Sequence, residues 1–172
     1  MAGKRVFIEA DFARLLNPKN PQQIPDLTGR IDAELRTIWH CLNSGASSVV
    51  LAAHLGFPGG RPDENFSLRP VATALAQRLC VRVVFLSDCV GPAVQAACAS
   101  SPRGSLVVLE NLGFHSHGTR LDDLHHEAFT LALAELGDVH VDDTHHASHA
   151  RSASTLSCDF AFRATGFRGA QG

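Results

Sequence analysis

The chain has no tyrosine, one tryptophan, one methionine and only two lysines among its 172 residues. Nor does it hold a long apolar run. Stretches such as Val81–Leu86, itself broken by Arg82, fall far short of the roughly 20 residues of a membrane-spanning helix. Cysteines at positions 41, 80, 89, 98 and 158 form no CxxC pair and no even-numbered set, which excludes a disulfide framework. They read as small buried hydrophobes in a reducing compartment. Excess charge of either sign is also lacking: 15 Lys and Arg face 17 Asp and Glu, for a net charge of -2. A general nucleic-acid binder needs a basic excess or stripe, so that class is excluded. Met1-Ala-Gly-Lys-Arg leads straight into Val6-Phe7-Ile8, without the apolar segment of a secretion signal or an Arg- and Ser-rich presequence. A cytoplasmic location is expected, an axonemal setting being included, with a mitochondrial one as the alternative.

What is present is ordinary globular composition, 45% hydrophobic and 19% charged. The length suits one domain, which buries roughly 70% of its unfolded surface. Arg5–Ala10, Ser48–Ala53, Val81–Leu86, Ser105–Leu109 and Val139–Val141 read as strands, several apolar on consecutive positions as in strands covered on both faces. Between them Ile31–Ser44, Ser67–Arg78, Pro92–Ser100 and Leu124–Leu136 carry apolar residues at helical spacing, with Leu35, Ile38, Trp39 and Leu42 sharing one face. Gly45 and Gly137 stand where C-caps belong. This alternation predicts an α/β fold: an open parallel sheet with helices on both faces, a Rossmann-like three-layer sandwich. Residues 1–161 form the predicted domain, and 162–172 lose periodicity as a linker or tail. Leu16–Thr28 and Gly56–Asn65 are long loops of the kind that hold ligands at the carboxyl ends of strands.

Several loop motifs occur together. Asp11-Phe12 follows the first strand, Thr28-Gly29-Arg30-Ile31 opens a helix, and Ala53-His54-Leu55-Gly56 follows the second strand. Phe66-Ser67-Leu68-Arg69-Pro70-Val71-Ala72, Asp88-Cys89-Val90-Gly91, Leu109-Glu110-Asn111-Leu112 with Phe114-His115, Val141-Asp142-Asp143, Ser148-His149 and Ala153-Ser154-Thr155 complete the series. In this order and spacing they resemble phosphoglycerate kinase, from about Lys4 to Phe167. The resemblance covers the amino-terminal half of that family, the lobe that holds 3-phosphoglycerate on a basic patch. It implies that the lobe holding nucleotide and magnesium is absent, and with it the alignment that phosphoryl transfer depends on.

The acceptor site implied by the resemblance is depleted as well. Asp11, Arg30, His54 and His149 match substrate-site positions, but Ala13 replaces an Asn and Glu9 a nearby cation. Phe57, Gly113 and Ala150 stand where the family has arginines, and Ser152 replaces a histidine. Charged hydrogen bonds contribute roughly 1.5–3 kcal/mol each, so three lost arginines forfeit about 5–9 kcal/mol, or 10³- to 10⁶-fold in affinity. Glu9 is expected to repel an anion further.

Other constellations carry less. Histidines recur at 115, 117, 125, 126, 140, 145, 146 and 149, and His145 and His149 have helical ligand spacing. Without HExxH or a paired cysteine motif they read as surface imidazoles, and neither a metal nor a cofactor is expected. Gly56-Phe57-Pro58-Gly59-Gly60-Arg61 lacks Walker spacing and its lysine, Ser44, Ser47 and Ser48 lack a G-x-S-x-G context, and Asp142-Asp143 reads as structural. No catalytic residue is assigned. The expected function is that of a noncatalytic, phosphoglycerate-kinase-like structural or interaction subunit. Its expected partners are protein subunits of an axonemal or cytoskeletal, ribosomal or mitochondrial assembly, with no nucleotide and no direct nucleic-acid contact. Phe57, Phe160 and Phe167 are candidate partner contacts, Phe57 as an apolar anchor at a loop tip. The alternatives are a small-anion module using Arg30, His54 and His149, or a half-kinase completed in trans.

Overall fold

In the computed structural model, residues 1–12, 31–115, 123–144, 160 and 162–167 are described. Runs of consecutive apolar residues become strands: β1 (Arg5–Asp11), β2 (Ser48–His54), β3 (Val83–Phe85), β4 (Ser105–Val108) and β5 (Val139–Asp143). Segments of helical periodicity become α1 (Asp32–Asn43), α2 (Arg69–Arg78), α3 (Pro92–Ala99) and α4 (Asp123–Ala134). A sixth strand, β6 (Phe162–Thr165), closes the described chain. All pairings are parallel, in the order β3-β4-β2-β1-β5-β6.

Side-chain alternation along β1 divides the core. Val6, Ile8 and Ala10 join Leu35, Ile38 and Cys41 of α1 and Val71, Ala72 and Leu75 of α2 on one face. Phe7 joins Val94 and Cys98 of α3, Leu133 of α4 and Phe160 on the other. Each such side chain contributes about 1.5–3 kcal/mol relative to exposure, which is why the central strands carry no polar stripe on these positions. Arg5 staples the start of β1 to the turn after α4. Its backbone N–H donates to Asp138 Oδ2 at 2.8 Å and its guanidinium to Asp138 Oδ1 at 3.0 Å. Burial alone would raise the Asp138 carboxyl, but the Arg5 hydrogen bonds and the Arg5 and Lys4 charges outweigh it and hold the carboxyl below its ordinary value.

Three expectations change. Phe162–Thr165 is not frayed: it pairs with β5 from Val139↔Phe162 to Asp142↔Thr165. All four of its residues are exposed, so no buried face marks it in the sequence. Trp39 is 40% exposed while Ile38 and Cys41 are buried, which puts it at the margin of the α1 stripe. Gly45, just past α1, takes the left-handed φ of +85° expected of a cap, but Gly137 does not. Gly137 serves close approach instead, because a Cβ there would lie 2.7 Å from Phe7 Cβ.

Candidate functional site

Because β2 and β4 are parallel neighbours, the loops that follow them emerge side by side at the carboxyl edge of the sheet. Two polar residues at the end of β4 knit this region together. Asn111 Oδ1 accepts from Leu55 N (3.1 Å) and Gly113 N (2.9 Å), while its Nδ2 donates to Leu55 O (2.7 Å) and Phe66 O (2.9 Å). The Glu110 carboxylate accepts from Ser67 Oγ, Leu68 N and Asn111 N, each at 2.8 Å. It thereby sits at the amino end of α2, where the helix dipole favours a negative charge. Glu110 is 8% exposed and Asn111 fully buried, so these groups bind the protein to itself. In the sequence both belong to a loop motif with no role assigned, and the mark of that role is a polar pair that follows the buried run 105–109.

Above this clamp the loops meet. Gly60 N donates to Gly113 O at 3.2 Å, and Pro58 packs over Gly113. A Cβ at position 113 would stand 3.0 Å from both Cγ and Cδ of Pro58 and 3.1 Å from Asn111 Oδ1. A side chain there needs the proline ring to give by a few tenths of an ångström. Phe57, next to that proline, projects into solvent with 87% of its surface exposed. His54 is half-buried at the end of β2, in register with Asp11 of β1. The structure thus brings His54, Phe57 and Gly113 to one edge of the sheet. Arg30, His149, Ala13, Ala150 and Ser152 lie outside the described residues, as does the Asp11 side chain.

The sequence profile of phosphoglycerate kinase matches residues 1–169. The chain belongs to the phosphoglycerate kinase family. It is 41% identical to mouse phosphoglycerate kinase 2 over 179 residues, which cover 97% of this chain and 42% of that protein. To human phosphoglycerate kinase 1 it is 39% identical over 177 residues, 96% of this chain and 42% of the relative. Phosphoglycerate kinase from Pyrococcus horikoshii OT3 shares the fold with a TM-score of 0.75 at 24% identity, over 99% of this chain and 41% of that one. The Coxiella burnetii enzyme gives a TM-score of 0.71 at 25% identity, covering 97% of this chain and 39% of its own. The chain therefore spans about two fifths of the length of the relatives it matches.

Within this phosphoglycerate kinase framework two expectations about charge and contact are corrected. Glu9 is not an open charge at the loops: it is fully buried in β1, with Oε2 3.5 Å from His140 Nε2. Phe160 is not a surface contact either, being 6% exposed with its ring 5.1 Å from that of His140 and 5.4 Å from that of Phe7. Phe167 does remain at the surface, 48% exposed, edge-on to His40. Asp142 is structural, its Oδ1 accepting from Thr144 N and Oγ1, and Asp143 is fully buried. A shallow groove lined by His140, Asp142, Arg163 and Thr165 opens on the β5–β6 flank, two strands along the sheet from His54.

The cysteine reading divides. Cys41, Cys89 and Cys98 are buried and Cys80 is exposed, while Cys158 lies outside the described residues. Burial pushes the Cys41 and Cys98 thiols up to about 11, which leaves both inert. Of the histidines, His125 is exposed on α4 and His140 buried in β5, while His117, His145, His146 and His149 are outside the described residues. His115 meets Asp88, with Nε2 2.9 Å from Oδ1. Among the described residues no helix is long and apolar enough to cross a membrane.

Proposed function

We propose that this member of the phosphoglycerate kinase family is noncatalytic and serves as a structural or interaction subunit of a larger protein assembly. One observation supports the reading most: a side chain at position 113 would start 3.0 Å from the Pro58 ring, tight enough that the ring must give way by a few tenths of an ångström. The acceptor-lobe framework below is kept, while a position that the family resemblance assigns to an anion-binding arginine holds a glycine crowded by a neighbouring ring. Phe57 supports the same reading. A solvated guanidinium has become an exposed aromatic ring at a loop tip, suited to burial against another protein and unable to hold a phosphate. The proposed partners are protein subunits of an axonemal or cytoskeletal, ribosomal or mitochondrial particle, and the proposed compartment is the cytoplasm.

Calorimetric titration of the chain with 3-phosphoglycerate tests this. Heat no greater than that of dilution, up to millimolar ligand, is the expected result. Saturable binding that Arg30→Ala removes would overturn it in favour of a small-anion module. Turnover in a coupled kinase assay on the endogenous particle would overturn it in favour of a kinase completed in trans.

A further inference from the structure

A second cluster of chemically able side chains adjoins the clamp on its β3 side. Parallel β3 and β4 are neighbours, so the segments leaving their carboxyl ends converge. They bring Asp88 and Cys89, just before α3, against His115, just after β4. One donor atom from each of the three lies within 4.8 Å of the others. We propose that Asp88, Cys89 and His115 form a site for a divalent metal ion of the zinc class, with solvent as the fourth ligand.

The donor set selects the ion. One imidazole nitrogen, one sulfur and one carboxylate oxygen suit zinc and its neighbours, whereas magnesium and calcium take oxygen ligands. The three donors close on the ion from separations of up to 4.8 Å. Ligand atoms around tetrahedral zinc stand roughly 3.3–3.6 Å apart. His115 Nε2 and Asp88 Oδ1, now 2.9 Å apart, must part by about half an ångström to admit the ion.

The donors are held in place by groups behind them. The His115 ring stacks on Phe129 at 4.9 Å and 23°. Asp88 Oδ1 accepts from Cys89 N at 2.7 Å. Such supporting contacts orient metal ligands. The bond that Cys89 Sγ now donates to Glu110 O, at 3.0 Å, is given up as the sulfur turns to the ion. Access is one-sided: the Asp88 and His115 side chains are 56% and 30% exposed, while Cys89 is buried behind them.

The site's own charges suit a dication: the Asp88 carboxylate and the thiolate formed on binding together balance it. On binding, the thiol S–H breaks, its proton leaves to solvent and the sulfur's electron pair goes to the metal. Affinity therefore rises with pH.

The test is to dialyse the full chain against cobalt(II) and, separately, zinc(II), then measure bound metal and the absorption spectrum. The expected result is about one equivalent per chain, with a near-ultraviolet sulfur-to-cobalt band and visible bands of tetrahedral cobalt. Cys89→Ser removes the sulfur band, and His115→Gln, at the surface, weakens zinc binding about 100-fold or more. A His145→Gln/His149→Gln variant keeps both. Circular dichroism monitors the fold; if Cys89→Ser fails to fold, the wild-type cobalt spectrum and His115→Gln decide. No metal retained at micromolar concentration, a cobalt spectrum without the sulfur band, or undiminished binding in His115→Gln would each overturn the proposal.

Discussion

In the loop after β4, Asn111 and Gly113 stand two positions apart and carry opposite relations to their surroundings. Asn111 makes four hydrogen bonds to the backbone of two other segments and of its own loop. Gly113 offers no side chain, and Pro58 has settled over it. The loop after β2 repeats the contrast, with Leu55 fully buried and Phe57 almost fully exposed. Groups whose partners are internal persist because folding itself requires them. Groups at the tips answer only to what the surface meets, and here they are a phenyl ring and a bare backbone.

Substitutions that set the two tiers against each other separate them by size of effect. Asn111→Leu should be among the two costliest, at about 3–5 kcal/mol in urea unfolding, because it leaves the buried Leu55 amide and carbonyl without partners. Phe160→Ala should match it at about 3–5 kcal/mol, by opening a cavity beside Phe7 and His140. A loss below 1 kcal/mol in either variant would break the distinction. Gly113→Arg should cost about 1–3 kcal/mol by overpacking, with part recovered when Pro58→Ala removes the crowding atoms, and neither variant should bind 3-phosphoglycerate.

Smaller still is the Arg5–Asp138 staple. Its carboxyl lies below its ordinary value in the folded chain, so its stabilisation is present above the ordinary aspartate pKa and fades as pH falls through the folded one. Both side chains are about one-third exposed, which limits the contribution to at most about 1 kcal/mol. The stability difference between wild type and Arg5→Gln should vanish in strong acid. Phe57→Ser should leave stability unchanged within about 0.5 kcal/mol while removing association with the proposed partner, as read by sedimentation of the endogenous particle.

Much of this arrangement is legible in the residues. β1, β2, β4 and β5 declare themselves because short apolar runs dominate them, despite buried Glu9, His140 and Asp143, and each observed strand ends within two residues of its expected place. β6 does not, because an edge strand with no covered face leaves no pattern to read. Gly137 looks like a helix stop; its reason is Phe7, far away in sequence. Phe160 looks like surface for the same cause, since its partners come from β1 and β5. At the loops, sequence identifies which side chains differ from the family's pattern. It cannot reveal that Pro58 covers Gly113, or that Asp88 and His115, 27 residues apart, touch.

The position of β1 also has a consequence for synthesis. It is made before the other strands of this sheet, yet it lies between β2 and β5, and β5 begins only at Val139. At about 5–20 residues per second, one edge of the central strand stays open for on the order of ten seconds. During that interval Val6, Phe7 and Ile8 offer an unsatisfied template to any passing polypeptide, so the nascent chain needs shelter well before its last strand exists.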